Sequence, residues 1–370
     1  MKNKITAAAL VCVCVCFLLA AWKYIKDSGI LKGYPKAEYL TSEEAAARPA
    51  YGQLSADEKA VYTALYRGIS EHRENIPLPV ELKGDDYSHI YCLLEKQEGS
   101  FFYLDSVYYT AKKVREARIV YRKMYDLDEK KLKLERAVET AVRGAEGLEG
   151  GDYKARYIND YLVKRCRYVS GDDEEYASTA YGCLVECEAN CEGYAKAFNL
   201  LASELGVESV VITGKTDKGE NHAWNQVRVG MDWYNIDVTW ADTDVAGEMR
   251  QMYFLCDDED FSKTHIADNT MLKPFECSKD DWNYYVRNGL YADSVSKAEE
   301  ILRRELSAGS SVIELRFSDI TVYERFRSEF INEEKIVSLL RETGYDFGSG
   351  VSMSLKENEE ELCMTLVFSA

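Results

Sequence analysis

The chain has 370 residues and is poor in several things. Five prolines exclude a proline-rich linker protein or a collagen-like rod. Basic residues are outnumbered, 46 against 64 acidic, for a formal net charge of -18. Such a surface repels phosphate backbones, so nucleic acid is not expected as a partner. Histidine is scarcest: His72, His89, His222 and His265 are all there are. Any chemistry that needs an imidazole must use one of these four. Cysteine is plentiful, 11 in all, yet spread too thinly for the dense framework of a small secreted domain. With 46% hydrophobic and 30% charged residues the chain is globular, and at this length it should divide into two or three domains.

One long apolar run is present. Ile5–Trp22 is an 18-residue stretch without charge behind Lys2 and Lys4, just long enough to cross a bilayer. Trp22 and Tyr24 would mark the far interface. The expectation is an uncleaved single-pass anchor at the cell membrane with an extracytoplasmic catalytic domain. The alternative is secretion after signal cleavage, for which Leu19, Ala20 and Ala21 make a fair site.

The expected organisation is an anchor or signal segment over 1–26, a linker over 27–53, an N-terminal helical and α+β extension over 54–150, a catalytic core over 151–270 and a C-terminal α+β domain over 271–370. Ser55 and Glu58 form a capping box that opens a helix reaching about His72, which Ile76, Pro77, Leu78 and Pro79 should end. Further helices are expected over Tyr87–Lys96, Asp128–Arg143 and from Asp152. Phe101–Thr110 and Arg118–Met124 read as paired strands. In the last hundred residues, Lys297–Leu306 and Val322–Arg341 read as helices. Ile313–Phe317, Val351–Leu355 and Leu362–Phe368 read as strands, the last two closing a hairpin.

The stretch from Tyr181 to Asp242 carries the chemistry. Asn190 is a candidate N-cap for an amphipathic helix in which Tyr194, Phe198, Leu201 and Leu205 share a face, with Gly206 at its C-terminus. Cys191 therefore sits at a helix start, where unpaired amides favour a thiolate. A buried structural thiol is the commoner fate of a cysteine, so the base decides. His222 opens a hairpin whose two-residue loop is Gly230 and Met231, with Gly230 at the first position of a type II′ turn. Pairing Val229 with Asp232 makes His222 and Asp237 diagonal neighbours on a polar face, within reach of each other. A nucleophile at a helix start, a histidine, and an acid that can orient it together suit acyl transfer or amide cleavage. Gly193 should leave room for a substrate beside the backbone, and Trp224 and Trp233 would line an acyl or acceptor channel.

Tyr181 and Gly182, Asn190 to Ala195, His222 to Asn225 and Trp233 to Trp240 together resemble the bacterial transglutaminase-like superfamily. The resemblance covers about 60 residues closely and extends more loosely over about 150–270. It implies an α+β fold with a papain-like core, in which a cysteine-bearing helix packs on an antiparallel sheet. An N-terminal α/β extension and a small C-terminal α+β domain would flank that core. It also implies Cys191 as nucleophile, His222 as general base and then acid, and Asp237 as the residue that orients the imidazole. The Cys191 amide would serve the oxyanion, with Tyr181 as candidate second donor. The expected substrate is a protein or peptide, a cell-wall peptide among the options, with water or an amine completing the reaction. A cysteine protease or amidase acting on cell-surface peptides is one alternative. A catalytically idle surface scaffold that binds a partner is another. No cofactor and no metal are expected. The spacing of Cys183, Cys187 and Cys191 suits no metal ligand set, and a Cys183–Cys187 or Cys166–Cys187 disulfide is the better reading.

Overall fold

The computed structural model describes residues 19, 21–24, 33–105, 107–170, 175–243, 249–344, 352–359 and 361–369. Among the described residues no helix is long and apolar enough to cross a membrane. The expectation of a single-pass membrane protein is corrected on this finding. Most of Ile5–Trp22 lies outside the described residues.

The chain forms two compact units, one of residues 1–249 with 258–277 and one of 250–257 with 278–370. In the first unit, α1 (Ala56–Ser70) opens with the expected capping box, Ser55 and Glu58 each bonding the other's backbone amide. Its buried face carries Val61, Tyr62, Leu65 and Ile69, each worth about 1.5–3 kcal/mol in removed apolar surface. The helix ends ahead of the proline-containing segment, as expected, and that segment is itself a strand. Asn75–Lys83 is β1, paired antiparallel with β2 (Lys113–Arg118), and the register slips between Pro77 and Leu82. A two-stranded sheet has only edge strands, where a missing proline amide costs little. Then come α2 (Gly84–Gln97), α3 (Leu127–Gly144) and α4 (Gly151–Arg165).

Among its described residues Phe101–Thr110 forms no extended strand, and the expected pairing with Arg118–Met124 shrinks to one antiparallel bridge between Leu104 and Tyr121. Its aromatics are spent on ring packing instead, with Phe101 against Tyr66 at 5.6 Å and Phe102 stacked on Tyr181 at 4.7 Å. The expected linker is also partly structured. Thr41 and Glu44 box the helix Ser42–Ala46, and Pro49–Gly52 follows, with Tyr51 buried.

Behind the short parallel pair β3 (Arg167–Tyr168) and β4 (Glu188–Ala189) runs α5 (Cys191–Glu204). It packs on β5 (Ser209–Thr216) and β6 (Asn221–Val229). With β7 (Asp232–Ile236) and β8 (His265–Ala267), these strands lie in the order β7-β6-β5-β8, every pair antiparallel. The Gly230 and Met231 turn pairs Val229 with Asp232, and Gly230 has φ of 63°, as a type II′ turn requires.

The second unit holds a four-stranded sheet. Its order is β9 (Tyr291–Ala292), β10 (Val312–Phe317), β12 (Cys363–Ser369) and β11 (Ser352–Asn358). The helix α6 (Val295–Ser307) covers it through Ala298, Ile301, Leu302 and Leu306, and Phe317, Phe326 and Phe330 fill the core. The single long helix expected over Val322–Arg341 is broken. Ile320–Phe326 passes into a wider turn over Arg327–Asn332, and Glu334, at φ of 58°, caps a separate helix Lys335–Glu342.

Candidate active site

The nucleophile candidate stands at the first turn of α5. Asn190 has extended backbone, and its Oδ1 accepts from the amides of Glu192 at 3.0 Å and Gly193 at 3.2 Å. That cap fixes the helix start and leaves the Cys191 amide outside its own bonds. Cys191 is half-buried and packs against Ala195, Val211 and Ala223. A side-chain carbon on Gly193 would come within 2.2 Å of the Ala177 carbonyl and 2.9 Å of Ala189 Cβ. The room expected there for substrate is thus filled by the chain's own 177–179 segment.

Strand alternation settles which groups share a face. Ala223 and Asn225 point toward α5, and Asn225 Nδ2 donates to the Ala195 carbonyl at 3.0 Å. This amide ties the histidine's strand to the cysteine's helix. His222 and Trp224 alternate with them, Trp224 on the other face and His222 at the strand's second residue, where its ring meets both Asp237 and Cys191. There Gly214 lies opposite both His222 and Ala267, and a Cβ on it would strike the Ile266 carbonyl at 2.2 Å and Trp224 at 2.8 Å. The polar face foreseen for the hairpin is therefore sealed rather than solvated. Gln226 and Asn235 are buried on it, and Gln226 exchanges bonds with the backbone of Phe275 at 2.8 and 2.9 Å.

The pairing of β7 stops at Ile236, one residue before the acid. Asp237 instead caps the short helix Val238–Ala241, its Oδ1 accepting from the Trp240 amide at 3.1 Å. Its Oδ2 lies 2.7 Å from His222 Nε2 and 3.1 Å from His265 Nε2. Asp237 is wholly buried, at 0% exposure, so its charge persists only because these donors surround it. Burial alone would raise its pKa, but His222 and His265 hold it well below the usual carboxylate range. For His222, burial disfavours the charge, and the Asp237 carboxylate outweighs it, with Cys191 adding a hydrogen bond, so its pKa rises to about 10. Because Nε2 is committed to Asp237, Nδ1 is the nitrogen left for the Cys191 sulfur. Trp240 lies over both imidazoles, with ring centres 5.4 Å from His222 and 4.5 Å from His265.

Cys191, His222 and Asp237 are thus brought together. The remaining sequence candidates fall elsewhere or differently. Tyr181 is buried, stacked on Phe102 and tilted against Tyr176, beneath Lys130. Trp224 is buried against Phe261 and His265, behind His222. Trp233 lies opposite Arg228, six residues along the strand from His222 or about 20 Å away, and stacks on Phe275 at 3.9 Å. Cys166, Cys183 and Cys187 are free thiols, which corrects the expected disulfide. Burial pushes the Cys183 thiol up, and the Cys166 side chain hydrogen-bonds to it.

His222, Asp237 and His265 are the group among the described residues whose ligating atoms lie close enough for a metal. A tetrahedral zinc ion with bonds of about 2.0–2.2 Å needs its ligand atoms about 3.3 Å apart. The 2.7 Å and 3.1 Å contacts are those of a hydrogen-bonded set. His265 was missed in the sequence. It stands 28 residues beyond Asp237 with no motif around it, and only the scarcity of histidine points to it.

A cysteine-bearing helix laid on an antiparallel sheet that carries a histidine and delivers an aspartate just past a strand's end is a papain-like core. Residues 136–238 match the transglutaminase-like superfamily, so the chain carries a transglutaminase-like domain, and that match includes Cys191, His222 and Asp237. A curated relative, kyphoscoliosis peptidase of Mus musculus, is 32% identical in a 108-residue alignment that covers 24% of this chain. The chain spans only 16% of that relative's length. Among solved structures, one described as a TGase is 17% identical, with a TM-score of 0.28 over 35% of each chain. A candidate cysteine protease from Cytophaga hutchinsonii is also 17% identical, with a TM-score of 0.27 over 40% of this chain and 56% of its own.

Proposed function

We propose that this protein is a thiol enzyme that attacks a carboxamide or peptide carbonyl through a thioacyl intermediate on Cys191. The observation that carries the reading is the His222–Asp237 bond of 2.7 Å, in a pair whose imidazole also bonds the half-buried cysteine at a helix start. The Cys191 sulfur attacks the carbonyl carbon as a thiolate. The Cys191 amide, which the Asn190 cap does not use, donates to the developing oxyanion. His222 gives its Nδ1 proton to the departing amine and later takes one from the incoming nucleophile, while Asp237 holds the ring by Nε2. The acyl group then passes to water or to an amine. The mouse relative's name favours water, and with it a peptidase acting on a protein or peptide.

The test is incubation with a glutamine-containing peptide, a primary amine and the full chain, followed by product mass. Mass gain by the amine marks transfer. Deamidation or backbone cleavage marks hydrolysis. Both should vanish in Cys191→Ala. If wild type and Cys191→Ala leave the same products, the enzyme reading fails and an idle scaffold remains.

A further inference from the structure

We propose that His265 is a positioning residue for the triad: it donates Nε2–H to Asp237 Oδ2 and so fixes the carboxylate that orients His222. This inference rests on the thiol-enzyme reading above. An ionised carboxylate only accepts hydrogen bonds, so both imidazoles that reach Oδ2 must do so with a proton on Nε2. In its neutral form His265 then presents Nδ1 as an acceptor, and the Thr264 hydroxyl lies 2.8 Å from it. That contact holds His265 in the tautomer that can serve Asp237. The ring itself is clamped by packing. It is 3% exposed, stacks on Phe261 at 3.9 Å and meets the edge of Trp224 at 5.1 Å.

With the Trp240 amide on Oδ1, the carboxylate is held by three donors from three elements: β6, β8 and its own capped helix. Removing one of the two donors on Oδ2 frees the carboxylate to turn about its side-chain torsion. His222 then loses the fixed partner that aims Nδ1 at Cys191. His222 stays protonated to about pH 10, so at pH 6 the loss falls on the direction of the imidazolium and not on its population.

The experiment measures alkylation of Cys191 by iodoacetamide at pH 6 in the full chain, resolved by peptide mass because other thiols are free. His265→Phe keeps the stacking surface and removes both polar contacts. It should slow alkylation about 10-fold, in line with the cost of sub-ångström misplacement in aligned sites. His265→Gln can still donate an amide proton to Oδ2 and should stay within about 3-fold of wild type. Thr264→Val removes the hydroxyl that sets the tautomer, and a loss of about 3-fold is expected. It also carries the test if His265→Phe does not fold. Equal rates in wild type and His265→Phe, or in wild type and Thr264→Val, overturn the proposal. So does equal slowing in the Phe and Gln variants, which marks a purely structural residue. A wild-type Cys191 that reacts no faster than an ordinary exposed thiol overturns the thiol-enzyme reading itself and takes this one with it.

Discussion

Asp237 is buried between two imidazoles, and its charge and that of His222 each depend on the other. Counting pairs back from the Gly230 turn put it one diagonal from His222, and the 2.7 Å contact agrees with that count. The strand count could not show that pairing stops at Ile236, because the stop comes from Asp237 capping its own helix through Trp240. Nor could it show His265, which arrives through a strand on the far side of β5. The pair has a consequence for stability against pH. The folded pKa of His222 lies near 10, above an unfolded value of about 6.5, so its contribution is complete below pH 6.5 and disappears as pH rises through 10. Asp237 is depressed, so its share is complete above about pH 4 and lost as pH falls below that. The difference in unfolding free energy between wild type and His222→Gln should therefore be flat from pH 5 to 6.5 and narrow steadily toward pH 10. Urea titrations across that range would measure it. A gap that widens between pH 6.5 and 9.5 would refute the ion pair.

At the scale of elements, local signals succeeded where one neighbour decides the structure and failed where packing decides it. Capping chemistry is local, and the Ser55 box and the Asn190 cap stand where the residues imply. The aromatic run Phe101–Thr110 misled because β-propensity cannot tell a pleat from a ring cluster, and here Phe102 stacks on Tyr181 while Tyr176 meets both at steep angles. Gly193 misled in a different way. The absence of a side chain at a helix start suggested space for a ligand, whereas the space belongs to Ala177, Ala189 and Thr179. Two substitutions separate these effects. Asn190→Ala removes two capping bonds and should cost about 1 kcal/mol. Gly193→Ala drives a carbon into a backbone carbonyl that cannot swing aside, and about 2–3 kcal/mol is expected. Urea midpoints would rank them. A Gly193→Ala chain at least as stable as Asn190→Ala would mean that the 177–179 segment does not depend on that close approach.

The whole molecule adds two constraints that neither residues nor elements contain. The first unit is discontinuous, and 258–277 returns to it with β8, Phe261 and His265. A chain ended at Met249 keeps Cys191, His222 and Asp237 yet lacks the strand and rings that seal their face. It should show no enhanced Cys191 alkylation, and retention of the wild-type rate would show that the returning segment is dispensable. The second constraint is charge. At a formal -18, the molecule surrounds itself with a negative potential that draws cationic peptides toward it and holds anionic ones off. The reach of that field is set by salt, with a Debye length of about 30 Å at 0.01 M and about 3 Å at 1 M. On the proposed peptidase reading, two peptides with the same scissile sequence, flanked by lysines in one and glutamates in the other, should therefore differ in kcat/KM by about 10-fold or more at 0.01 M salt. At 1 M the long-range part is screened and the ratio should fall toward one. A preference that survives high salt unchanged would place discrimination in contacts at the site, and the net charge would then have no part in choosing the substrate.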